Sequence, residues 1–106
     1  MRSKRSRKFR ELLFALPDDV RRQAYAAYRL FRTDPFHTSL HFKKVSQRKN
    51  LYSVRIGIGY RALGLREKED EIVWFWIGSH TDYDKLLINY YYSYNNNVNF
   101  TKKNVI

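Results

Sequence analysis

The spacing of apolar and polar positions changes character midway along the chain. Over residues 6–16, Phe9, Leu12, Leu13 and Leu16 recur at helical spacing among basic residues, which predicts an amphipathic helix. Pro17 interrupts it, and Asp18 and Asp19 then put negative charge into a new first turn, where the helix dipole favours it. This second helix is expected to run to about Arg32, with Val20, Ala24, Ala27, Tyr28 and Phe31 on one stripe. It stops at Thr33-Asp34-Pro35, because a residue preceding proline avoids the helical region. The two helices are expected to pack as a hairpin.

From residue 40 onward the period shortens to two. Leu40, Phe42 and Val45 fit a short strand, although Lys43 and Lys44 break its alternation. Tyr52, Val54 and Ile56 alternate with Ser53 and Arg55, the pattern of a half-buried strand. Gly57-Ile58-Gly59 permits a tight connection to a strand over 60–65, and 66–71 forms a charged turn. IVWFWIG, residues 72–78, is uniformly apolar and reads as a central strand covered on both faces. One or two helical turns follow over 81–87. The fold class is α+β: a helical hairpin on a small four-stranded antiparallel sheet, helices on one side, and a short C-terminal helix. Residues 1–87 form one domain. From Ile88 the chain turns to Tyr, Asn and Ser without apolar periodicity, so 88–106 reads as a loosely held tail.

Charge narrows the functional classes. Twenty-one Lys and Arg against ten acidic residues give +11 in 106 residues, a field that favours a polyanionic partner such as nucleic acid or an acidic protein. The absence of cysteine excludes disulfides, thiol catalysis and cysteine-rich zinc sites. No apolar run approaches the roughly 20 residues of a membrane helix, and the basic N-terminus lacks the apolar core of a secretory signal. A cytoplasmic location, with no membrane contact, is expected.

No nucleotide-binding glycine loop or nucleophile elbow is present. His37 and His41 stand four apart in a loop and a strand, where that spacing does not converge on a metal. What remains is phosphoryl-transfer chemistry without a metal or other cofactor. Attack by a 2′-hydroxyl on RNA needs a base, cations for the phosphorane and an acid for the leaving oxygen. Arg55 on the polar face of one strand and Arg61 at the start of the next are placed to offer guanidinium forks to one phosphate. His80 leaves the last strand within reach as an acid, and Tyr83 follows to orient the RNA. Each also has a plainer role: Arg55 solvated, Arg61 bracing its turn, His80 capping a helix, Asp82 and Asp84 as helix-start charges, Tyr83 in the core.

Four segments, LPDDVRRQAYAAYRLFRTDP, LYSVRIGIGYRALG, IVWFWIG and GSHTDYDKLL, together resemble the RelE/ParE superfamily of toxins from type II toxin–antitoxin systems, most closely its RelE- and HigB-like branch. The resemblance spans roughly residues 6–87. It implies an mRNA endoribonuclease that inhibits translation, acting on mRNA at the ribosome and held in check by an acidic antitoxin, with no small-molecule substrate. It assigns the phosphate contacts to Arg55 and Arg61, the acid to His80 and RNA orientation to Tyr83. Lys43, Lys44 and Lys49 become further RNA contacts. Where some members carry a lysine, this chain has Ser53, and no glutamate stands near the hairpin to act as base. The alternatives are a ParE-like inhibitor of DNA gyrase and a non-catalytic antitoxin-binding module.

Overall fold

The computed structural model describes residues 1–46 and 49–98, with the side chains of 90–98 left aside. Strand β1 (Arg2–Arg5) leads into α1 (Arg7–Phe14) and α2 (Asp18–Thr33). A single 3-10 turn (Thr38–Leu40) precedes β2 (Lys43–Lys44). Strands β3 (Leu51–Ile56), β4 (Tyr60–Lys68) and β5 (Glu71–Ser79) follow, and α3 (His80–Val98) closes the chain. The strands form one sheet in the order β1-β5-β4-β3-β2. The α+β class holds, with five strands instead of four.

The extra strand is β1, which pairs parallel with the first half of β5. Its sequence carries no apolar alternation, so periodicity gave no sign of it. Polar contacts hold it instead. Arg2 and Lys4 both reach the Glu71 carboxylate, at 3.2 and 3.5 Å, and the Trp74 indole N–H donates to Ser3 Oγ at 3.4 Å. The strand expected over Leu40–Val45 shrinks to Lys43–Lys44, because Leu40 lies in the 3-10 turn and His41 adopts a left-handed backbone.

Helix α1 starts at Ser6, whose hydroxyl accepts from the Phe9 N–H at 3.0 Å, satisfying one of the free donors of the first turn. Arg21 ties the two helices together: its guanidinium donates to the carbonyls of Phe14 (3.1 Å) and Leu16 (2.6 Å) and pairs with Asp18. The carbonyls freed where α1 ends thereby gain a partner. Both helices bury their stripes on the same sheet face, where Phe9, Leu13, Ala24 and Phe31 meet Val54, Ile56, Ala62, Ile72, Trp74 and Ile77. Tyr28, expected on that stripe, is instead half-exposed beneath the Arg32 guanidinium, 5.9 Å from its ring.

The opposite face is not bare, which corrects the expectation of helices on one side only. Helix α3 crosses it, and Tyr83, Leu86 and Leu87 pack with Leu51, Leu63, Leu65, Phe75 and Trp76 into a second cluster. A bulge at Phe75, between the pairs Leu63–Trp76 and Gly64–Trp74, puts both Phe75 and Trp76 in this cluster. The IVWFWIG strand is therefore covered on both sides, as its composition requires. The C-terminal helix also runs longer than one or two turns. Anchored by Tyr83, Leu86 and Leu87, it continues through the Tyr- and Asn-rich stretch to Val98, since adding residues to a formed helix is easier than nucleating one. The part of the expected tail at 99–106 lies outside the described residues.

Gly64 fixes how tightly this sandwich closes. A Cβ built there stands 2.7 Å from Trp74 and 2.8 Å from Ile72. Gly64→Ala is expected to cost about 1–3 kcal/mol by overpacking, read as a lowered thermal midpoint. Gly59→Ala, with no atom within 4 Å of the added carbon, is the matched control and should shift the midpoint much less.

Candidate nucleic-acid site

The hairpin between β3 and β4 organises the site. Gly57 has φ +58, a left-handed backbone that glycine adopts without the strain a side chain would bring. The turn sets the register in which Arg55 pairs directly with Arg61 across the ladder. Directly opposite residues hold their Cβ atoms about 5 Å apart, so two guanidinium stems rise together from one face.

Both arginines brace the turn that places them. Arg55 Nε donates to the Gly57 carbonyl at 3.1 Å, leaving the outer nitrogens of its fork without an intramolecular bond among the described residues. One Arg61 terminal nitrogen donates to the carbonyls of Tyr60 (2.7 Å) and Ile58 (3.3 Å). Bracing leaves further donors of each guanidinium available, because a guanidinium has five N–H groups. Burial lowers the Arg61 pKa and the neighbouring Arg55 charge lowers it further, opposed by Tyr83 and Asp84. A guanidinium starts so high that it stays charged.

His80 is the first residue of α3, and its backbone N–H donates to the Gly59 carbonyl at 2.8 Å. Capping belongs to Ser79, whose hydroxyl accepts from the Asp82 N–H at 3.1 Å. The imidazole is thus left half-exposed, with Nε2 3.5 Å from the Asp84 carboxylate. Asp84 stands one helical turn beyond His80, a spacing visible in the sequence, where it reads only as a helix-start charge.

Arg55, Arg61, His80, Tyr83, Lys43 and Lys44 all line a single groove of about 480 Å³, within the range of ligand-binding clefts. Lys49 does not; it sits in the turn before β3, its N–H bonded to Ser46 Oγ at 3.3 Å. Tyr83 is 7% exposed and tilts against Trp76 at 6.4 Å between centroids, so it is a core residue that shows the groove one edge. Ser53, 2% exposed, lies beside Arg55 in the lining; period two had placed it on the arginine face, but not under a helix. The lining also includes His41, for which the sequence pattern offers no role beyond that of a metal ligand. Four permanent cations, two imidazoles and one carboxylate give the groove a positive balance suited to a phosphodiester. Among the described residues no group of three His, Asp or Glu is placed to hold a metal ion.

A two-helix hairpin on one sheet face, a third helix on the other and a basic groove beside it define a small α+β domain with a cationic cleft. A family model described as the ParE-like toxin domain matches residues 18–85, more than half of the chain, and the chain belongs to that family within the RelE/ParE toxin superfamily. Its fold is similar to the RelB–RelE antitoxin–toxin complex from Methanococcus jannaschii, at TM-score 0.61 and 19% identity over 77% of this chain and 96% of that one. It is also similar to the archaeal RelE–RelB complex from Pyrococcus horikoshii OT3, at TM-score 0.56 and 18% identity over 74% and 92%. No curated protein sequence matches it significantly.

The two roles of Tyr83 separate by substitution. Tyr83→Ala should cost roughly 3–5 kcal/mol, as for other buried aromatics, whereas Tyr83→Phe should keep most of that stability. Urea unfolding of the two variants checks this; equal midpoints would remove Tyr83 from the core.

Proposed function

We propose that the chain is the toxin of a type II toxin–antitoxin system and that its groove cleaves mRNA, free or on the ribosome, without a metal. The observation that carries this reading is the Arg55–Arg61 cross-strand pair beside His80 in one groove. A phosphate seated on the two forks has its non-bridging oxygens neutralised where charge builds in the transition state. His80, held by Asp84, protonates the departing 5′ oxygen. Lys43 and Lys44 hold the flanking backbone by charge. Toxin–antitoxin complexes among the fold neighbours and a charge of +11 support an acidic antitoxin as protein partner.

The description of the matching family model favours a second reading, a ParE-like toxin that inhibits DNA gyrase by binding. In that case the groove need not turn over RNA.

Induced expression separates the two. The nuclease reading expects growth arrest with discrete cuts in mRNA, and loss of both in Arg61→Ala and His80→Ala made as folded protein. Removing a positioned acid should slow cleavage about 10²–10⁴-fold. Arrest with intact mRNA and stalled DNA replication would transfer the assignment to gyrase inhibition.

A further inference from the structure

The nuclease reading leaves the 2′-hydroxyl without a base. Of the groups lining the groove, Lys43, Lys44, Arg55 and Arg61 offer no lone pair while charged. Asp84 faces His80, Ser53 is a weakly basic hydroxyl, and Tyr83 is buried. The remaining group with an acceptor nitrogen is His41, which lines the same groove and whose ring has no hydrogen-bond or ion-pair partner among the described residues.

The backbone at His41 is unusual. With φ 46 and ψ 42 it is the one non-glycine residue among those described with positive φ. Such a conformation persists only where the surroundings impose it. They do so on both sides. Leu40 is buried in the core under the helical hairpin. Phe42 packs edge-on against Phe31 at 5.0 Å and lies 4.9 Å from the Tyr52 ring. Both neighbours are thus fixed on the hairpin side, and the reversal between them presents His41 to the groove on the other side.

We infer that His41 is the general base of RNA cleavage, acting with His80 as the acid; this rests on the nuclease reading. A ring nitrogen of His41 takes the 2′-hydroxyl proton as the 2′ oxygen bonds to phosphorus. The bond from phosphorus to the 5′ oxygen breaks, and the His80 proton passes to that oxygen. The products are a 2′,3′-cyclic phosphate and a 5′-hydroxyl. One proton enters His41 and one leaves His80, so solvent exchange restores the pair.

The test is single-turnover cleavage of an RNA that the wild type cuts. His41→Asn retains a residue that tolerates the left-handed backbone, and its thermal midpoint should match that of the wild type. Cleavage by it should fall about 10²–10⁴-fold. An RNA with sulfur at the 5′ bridging position, whose thiolate leaves without a proton, should rescue His80→Ala but not His41→Asn. In His41→Gly, free of backbone strain, imidazole added to the buffer should restore cutting. Cleavage by His41→Asn within a few-fold of wild type, or its rescue by the sulfur substrate, would overturn the assignment while wild-type cutting keeps the nuclease reading. Failure of the wild type to cut any RNA would overturn both.

Discussion

Three consecutive carbonyl oxygens hold the site together. In the turn between β3 and β4, Gly57 accepts from Arg55 at 3.1 Å, Ile58 from Arg61 at 3.3 Å, and Gly59 from the backbone of His80 at 2.8 Å. The same turn therefore fixes both guanidiniums and the start of the helix that carries the imidazole. Hydrogen bonds from charged donors are among the stronger ones available to a protein. Here they convert a three-residue loop into a rigid template. Gly57 makes the template possible by taking the positive φ.

The sheet divides its labour between its two faces. Under α1 and α2 it is mainly apolar, and that side carries most of the buried core. Under α3 it changes along its length, from the Leu51–Leu63–Trp76 cluster to the charged groove near the hairpin turn. Tyr83 belongs to both, packed on Trp76 and bordering the groove. Charged groups are thus held against a low-dielectric wall, where their field is less screened than on an open surface.

Much of this was legible in the sequence because local rules agreed with the tertiary outcome. Helical spacing located α1 and α2, period two located β3, and the unbroken apolar run of β5 announced its double cover. The pairing of Arg55 with Arg61 followed from strand phase and the glycine turn between them. What stayed hidden depended on long-range contacts. β1 is held by Glu71 and Trp74 from the far end of the chain, not by apolar alternation. β2 is cut short by the reversal at His41, a residue type that gives little warning of positive φ. Helix α3 extends through residues of poor helix propensity, and its far-face seat follows from where Tyr83 and Leu87 find partners. Neither the groove's cover nor the placing of His41 and His80 in one lining has a local signature.

The arginine pair has a cost as well as a use. Like charges placed directly opposite in a ladder oppose the pairing that positions them, and burial of Arg61 adds to that opposition. The pair therefore works against the fold around it. Any anion that enters the groove relieves this, and by mass action it favours the folded chain over the unfolded one. On that account the stability of this chain depends on which anions its solvent supplies, as the linkage of binding to folding requires.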